Sequence, residues 1–227
     1  MAEGLRKRYG ALVVLDDAGL TVSAGEAVGI VGPNGAGKTT LLDVLAGAQR
    51  PNAGTVVLRG GDVTRLGAAA RCTLGLGRTH QIPRPFVDMT VFENVLVGAR
   101  GSDRQERALA ALETTDLLRV ANRRAAALGL LDRKRLEMAR ALATDPAVLL
   151  LDEVAGGLTE EETHALVASI QALVDAGIGV VWIEHVVQAL LRVATRLICM
   201  SAGRVIAEGE PDAVMTDEAV MAAYLGA

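Results

Sequence analysis

The polarity pattern divides the chain into three stretches. Over the first 60 residues, short apolar or alternating runs are broken by glycine-bearing turns. Leu12–Leu15, Gly19–Val22, Ala27–Val31 and Thr55–Leu58 read as strands, with turns at Ala24-Gly25-Glu26 and Asn52-Ala53-Gly54. This predicts an antiparallel β-layer beside one fully apolar, buried strand, Ala27–Val31, which is followed by a helix from Thr40 to Ala46. In the middle stretch, Ala, Leu, Arg and Glu recur at helical spacing from Arg104 to Val120 (Leu109, Leu112, Leu117), and again from Arg133 to Ala143. The last stretch alternates strand Val148–Leu151, helix Glu160–Asp175, strand Val180–Ile183 and helix Val186–Ala194, the βαβ rhythm of a parallel sheet. A hairpin around Ala202-Gly203 and closing helices from Asp212 to Leu225 end it.

The predicted architecture is therefore α/β and a single domain over residues 1–227. It has a core with a mostly parallel sheet and flanking helices, an antiparallel β-layer, and a mainly helical subdomain inserted at about residues 82–144. No internal repeat or low-complexity tract interrupts it.

Composition narrows the partners. With 227 residues, 51% of them hydrophobic, the chain is long enough for one sizeable core. A formal charge of −4 argues against a nucleic-acid surface. The arginine clusters at 104–107 and 133–140 are interspersed with acids and read as helix faces. Cys72 and Cys199 are too few for a disulfide framework or a metal site, and read as buried thiols of a reducing compartment. Met1–Tyr9 is charged and lacks the apolar segment of a signal peptide. The apolar runs are of strand length, far short of the roughly 18–20 residues that span a bilayer. The expectation is a soluble chain that reaches any membrane through a partner.

The chemistry begins at Gly32-Pro33-Asn34-Gly35-Ala36-Gly37-Lys38-Thr39, a phosphate loop of the form G-x-x-x-x-G-K-[ST] between a strand and a helix. Backbone N–H groups of the turn and of the helix start point at phosphates, and the helix dipole adds favourable potential. Lys38 is expected to reach the β- and γ-phosphates and Thr39 to offer its hydroxyl to Mg²⁺. The loop alone does not choose between kinases, GTPases and transport ATPases.

Val148-Leu149-Leu150-Leu151-Asp152-Glu153 narrows the choice. An apolar strand, expected beside the phosphate-loop strand, ends in two carboxylates at the edge where such sheets bind ligands. Asp152 would hold Mg²⁺ through water, and Glu153 would accept a proton from an attacking water. A small-molecule kinase does not need the second acid; an ATPase does. His185, just past Val180–Glu184, reads either as an ordinary strand-end histidine or as a group that orients that water. Gln81 alone carries only an amide, but its place between the phosphate loop and the helical insert fits a residue that touches Mg²⁺ or water and senses nucleotide.

Taken together these residues resemble the ATP-binding subunits of ABC transporters, and the resemblance spans essentially the whole chain. It implies that Tyr9 stacks on adenine, that Gly32 to Thr40 form Walker A and that Gln81 is the Q-loop glutamine. Asp152 and Glu153 fall on Walker B and the catalytic glutamate, and His185 on the switch histidine. Gly77–Gln81, Met89–Gly98, Arg135–Leu142, Val205–Gly209 and Tyr224-Leu225-Gly226 are similar to the ATPases of branched-chain amino acid importers, which usually carry Phe where this chain has His80. The resemblance implies ATP and Mg²⁺ as ligands and integral-membrane permease subunits as partners. It also implies a peripheral place on the cytoplasmic face of the cell membrane. Non-transport ABC ATPases stand as the alternative, although this chain lacks their usual tandem units, long coiled coil or basic surface.

The family's L-S-G-G-Q signature falls on Leu128-Gly129-Leu130-Leu131-Asp132, so the serine hydroxyl and both motif glycines are missing. Gly156-Gly157-Leu158-Thr159, in the place of S-A-L-D, likewise lacks the final aspartate. In the family the signature grips the γ-phosphate held by the opposing subunit. Here Gly129 and Leu131 would offer only backbone, which leads to the expectation of a different ATPase subunit as partner, a heterodimer rather than a homodimer. An ATP-binding subunit with weak hydrolysis is the other outcome of such a loop.

Overall fold

The computed structural model describes residues 1–225, and the elements below are those of that stretch. Two sheets sandwich a helix. The first, antiparallel, is ordered β2 (Leu12–Leu20), β1 (Ala2–Tyr9), β4 (Ala53–Leu58), β5 (Gly61–Asp62). The second runs β10 (Arg204–Gly209), β9 (Arg196–Ser201), β3 (Ala27–Val31), β8 (Gly179–Ile183), β7 (Val148–Asp152), β6 (Leu76–Arg78). It is parallel from β9 to β6, with β10 antiparallel at its edge.

Three differences from the sequence reading have clear causes. β1 is a strand although Arg6, Lys7 and Arg8 sit in it, because only Ala2 and Leu5 are buried and the rest faces solvent. The runs at 12–15 and 19–22 belong largely to one strand, bent at Asp17 (φ 64°). β7 does not adjoin β3: β8 lies between them, with Asp152 in register with Ile183 and Ile30 with Ile183 on the other side. Val148–Leu151 and Val180–Ile183 are equally apolar, so their order in the sheet cannot be read from pattern.

Helix α1 (Lys38–Ala46) packs between the sheets, where Leu41, Leu42 and Val44 meet Leu5, Leu15, Ile30 and Ile198. α2 (Ala68–Thr73) braces its end. The helical stretch holds α3 (Val91–Gly98), α4 (Arg104–Thr114) and α5 (Leu130–Leu142). They close around their own cluster, with Val91, Val95, Leu112, Leu117 and Leu136 buried. Each fully buried Leu or Val there contributes about 1.5–3 kcal/mol. The helix read to Val120 stops at Thr114, because Asp116 (φ 55°) turns the chain and Leu117 tucks back into the cluster.

On the far face of the large sheet, α6 (Glu160–Asp175) buries Leu166, Ile170 and Leu173 against Leu149, Leu151 and Trp182. α7 (Val187–Leu190) is a single turn, not the helix to Ala194 expected from sequence. α8 (Pro211–Met215) and α9 (Glu218–Leu225) close the chain, with Val214 and Val220 in the same core. Gly226, the end of the Tyr-Leu-Gly motif, lies outside the described residues. Among the described residues no helix is long and apolar enough to cross a membrane.

Candidate active site

Every phosphate-loop residue projects from the C-terminal end of β3, where strand pairing stops and the backbone must reverse into α1. Gly37 makes the final turn at φ 99°, and a Cβ there would lie 2.6 Å from the carbonyl oxygen of Val14. Only glycine fits. The loop bounds a cavity of about 210 Å³ lined by Val14, Asn34, Gly35, Ala36, Gly37, Lys38, Thr39, Thr40, Glu153 and His185. Lys38 Nζ donates to the carbonyl oxygens of Gly32 (2.6 Å) and Pro33 (3.0 Å), folded back along the loop it serves. Burial lowers its pKa, an effect that the nearby Glu153 opposes.

Across the cavity stands Glu153, one residue past β7, in the left-handed region (φ 48°) that non-glycine residues rarely occupy. Its N–H donates to Ile183 O (2.9 Å), which ties the turn to the neighbouring strand β8. His185 Nε2 lies 2.9 Å from Glu153 Oε1, and Gln81 Nε2 donates to Glu153 Oε2. Three residues 32 or more apart in sequence thus meet on one carboxylate. Gln81 is exposed, and its amide N–H donates to Glu153, which leaves its Oε1 as the atom that a metal or water contact would use.

Asp152 is held differently. Arg78 Nη2 reaches its Oδ2 at 3.1 Å, and Arg78 Nη1 reaches Asp43 Oδ1 on α1 at 2.6 Å. Burial raises the Asp152 pKa, and the Arg78 guanidinium pulls it back. One arginine therefore joins β6, β7 and the helix that follows the phosphate loop. Thr39 and Asp152 present hydroxyl and carboxylate oxygens, hard donors suited to Mg²⁺ rather than to a soft metal. No cluster of three acidic, His or Cys ligands occurs among the described residues, so the remaining ligands would have to be phosphate and water.

Behind His185, the buried Glu184 accepts N–H bonds from Ala155 (2.9 Å), the Trp182 indole (3.3 Å) and His185 itself (3.2 Å). Burial still leaves its pKa raised, the three bonds offsetting only part of the desolvation. This fixes the turn that presents His185 to Glu153.

The remaining expected residues lie elsewhere. Tyr9 is 45% exposed at the β1–β2 hairpin beside Leu12 and Val13, with Lys7 Nζ 4.9 Å over its ring, and does not line the cavity. Gly129 caps α5 with no side-chain bond, and the helix begins at Leu130, three residues earlier than the start expected at Arg133, with Leu131 in its first turn. Asp132, in place of the signature glutamine, pairs with Arg119 at 2.8 Å. Thr159, where the family has aspartate, caps α6 in a reciprocal capping box with Glu162, a role both residue types fill. Sequence reasoning missed Arg78, Asp43 and Glu184. A lone charge inside an apolar strand context was the one available signal for Arg78 and Glu184; Asp43 carried none.

Comparison with known proteins agrees with this geometry. Residues 15–156 match the ABC transporter family model, and residues 204–227 match that of the branched-chain amino acid ATP-binding cassette transporter. The chain is 36% identical over 231 residues to the lipopolysaccharide export system ATP-binding protein LptB of Haemophilus influenzae, covering 99% of this chain and 96% of that protein. It is 34% identical over 244 residues to the high-affinity branched-chain amino acid transport ATP-binding protein LivG of Escherichia coli K12, covering 98% and 96%. Among solved structures, the ADP conformation of MJ1267, an ATP-binding cassette of an ABC transporter, superposes with a TM-score of 0.92 at 30% identity, covering 100% of this chain and 98% of that one. The dimeric MJ0796 cassette superposes with a TM-score of 0.80 at 26% identity, covering 92% and 97%. With a matched phosphate loop, paired carboxylates and full-length likeness, this chain belongs to the ABC transporter family, as one of its ATP-hydrolysing cassettes.

Proposed function

We propose that this cassette drives import of branched-chain or related amino acids, working as a peripheral subunit on the cytoplasmic face of the cell membrane. The observation that carries the reading is the match of residues 204–227 to the C-terminal segment of branched-chain amino acid transporters, together with the LivG likeness. The LptB likeness supports a second reading, export of a lipopolysaccharide. Purification from native membranes with identification of the co-purifying permease, followed by uptake of labelled leucine, isoleucine and valine in vesicles of that complex, tests it. Uptake stimulated by ATP supports the importer; a permease that takes only lipopolysaccharide overturns it.

In this reading Glu153 takes the proton of the attacking water, His185 holds that water and Glu153 in line, and Gln81 reports the state of the site to the helical subdomain. Lys38 leaves its two loop carbonyls for the β- and γ-phosphate oxygens, with the amides of Asn34, Gly35 and Gly37 to Thr40 cradling the rest. Thr39, Asp152 and the Gln81 amide oxygen would hold Mg²⁺, which when bound neutralises phosphate charge. Tyr9, with exposed Leu12 and Val13 beside it, takes the adenine face. Permease subunits dock on the segment after Gln81, where Ile82, Phe86, Val87, Met89 and Val97 are exposed. That segment is tied to α5, because Arg84 N–H donates to Glu137 and Arg140 donates to Arg84 O.

The partner cassette is a different chain. Gly129 and Leu131 can offer backbone N–H groups of the α5 start to an opposing γ-phosphate, but no hydroxyl stands at Gly129, and Leu130, in place of the first motif glycine, is 42% exposed. Losing one hydrogen bond to a charged group costs on the order of 1.5–3 kcal/mol. Full transporter-like hydrolysis by ATP-dependent homodimers of the purified chain would exclude this pairing.

A further inference from the structure

We propose that Tyr224, on the C-terminal helix α9, is a positioning residue of the nucleotide site. β3 ends at Val31, where it still pairs with Cys199, and Gly32 is the first residue beyond. Its N–H donates to the Tyr224 hydroxyl at 2.8 Å. Its carbonyl oxygen accepts from Lys38 Nζ at 2.6 Å. Gly32 therefore stands between the C-terminal helix and the lysine that meets phosphate.

The surroundings leave Gly32 no other anchor on that side. Its φ is 143°, and a Cβ would lie 2.1 Å from Met200 O, so the residue is wedged against β9. Pro33, next in the chain, has no N–H to fix the loop's first turn. An N–H left unpaired at the end of the ladder is costly, and the phenol supplies its partner. α9 is itself held in place: Asp217 Oδ1 accepts from Ala219 N at 2.8 Å and Val220 N at 3.2 Å, and Val220 is 1% exposed in the main core. Burial raises the pKa of the phenol, so it stays neutral as an acceptor. The C-terminal segment thus has work at the phosphate loop 192 residues away in sequence.

The inference rests on the ATP-site reading and deepens it. Its test compares the full-length chain with Tyr224→Phe, which removes only the hydroxyl, and with Lys38→Ala. The readouts are binding of a fluorescent ATP analogue, thermal unfolding, and amide exchange at Gly32. Tyr224→Phe is expected to weaken nucleotide binding about five- to tenfold, the loss of one ordinary hydrogen bond. It should speed exchange of the Gly32 amide and leave the unfolding midpoint within a few degrees. In the assembled transporter, KM for ATP should rise with kcat within about twofold. Binding and Gly32 exchange unchanged in Tyr224→Phe would overturn the proposal, as would weakened binding that appears only with a general loss of stability. If the unsubstituted chain bound no better than Lys38→Ala, the ATP-site reading itself would be at fault.

Discussion

His185 Nε2 and Glu153 Oε1 stand 2.9 Å apart, on turns that leave two adjacent parallel strands, β8 and β7. The contact exists because both strands end at the same level of the sheet: Asp152 is in register with Ile183, so the residues that follow converge. Glu153 also accepts from Gln81, which leaves one carboxylate between an imidazole and an amide.

Removing the base should separate binding from chemistry. Glu153→Gln keeps the shape of the side chain but cannot take the proton of water. Hydrolysis by the assembled complex should fall by about 10²–10⁴-fold with ATP binding retained. His185→Ala should lower turnover less, since the carboxylate remains. Phosphate release and nucleotide binding measured on the same samples check both, and an active Glu153→Gln would move the catalytic site elsewhere.

Arg78 spans Asp43 and Asp152, and its side chain is 19% exposed against an Asp152 side chain that is 5% exposed. Arg78→Met leaves Asp152 buried and uncompensated. Destabilisation of about 3 kcal/mol is expected. Adding Asp152→Asn should recover part of that loss, because the uncompensated charge is then gone. Denaturant midpoints of the two single variants and the double variant test the coupling.

Arg71 is fully buried and donates to four carbonyls, of Val44 and Leu45 at the end of α1 and of Thr64 and Leu66 in the loop before α2. It satisfies helix-end acceptors and places positive charge at the negative end of the dipole. Arg71→Met should cost about 2–4 kcal/mol by leaving several buried acceptors unmet. Arg71→Lys should recover little, since one ammonium cannot reach four acceptors in fixed directions.

Glu184 gives a pH signature. Burial raises its pKa in the folded chain above the unfolded value, so the folded state binds the proton more tightly. The sign follows: the contribution is fully present below the unfolded carboxylate pKa, near 4.3, and is lost as pH rises through the raised folded value. The stability of the native chain relative to Glu184→Gln should therefore be greatest near pH 4 and decline toward neutrality. Parallel unfolding curves at pH 4 to 7.5 would show it; a difference independent of pH would contradict the assignment.

Mg²⁺ removal probes Asp152. With the native chain, nucleotide should bind more tightly with Mg²⁺ than with EDTA. In Asp152→Asn that difference should shrink by about tenfold or more, since a charged ligand becomes a neutral one. Titrations of the same nucleotide in both buffers measure it.

Local grammar carried much of the site. The glycines and Lys38 of the phosphate loop, the acids after Val148–Leu151 and the histidine after Val180–Ile183 were legible because each sits where a strand must turn. Arg78 and Glu184 were not, since a charge inside an apolar run has meaning only once its partner across the fold is known. β1 escaped notice because its outward face is charged and only Ala2 and Leu5 mark the inward one.

By itself the sequence determined the elements that are periodic, the turns that need glycine, and the chemistry of the groups at strand ends, because these depend on near neighbours in the chain. The tertiary structure decided strand order, with β8 set between β3 and β7, and so decided which groups meet. It brought Gln81 and His185 onto Glu153, Arg78 onto Asp152, and Tyr224 onto Gly32. Contacts between residues 32 to 192 positions apart follow from packing equally apolar strands against one another, and no local pattern encodes which neighbour each strand takes.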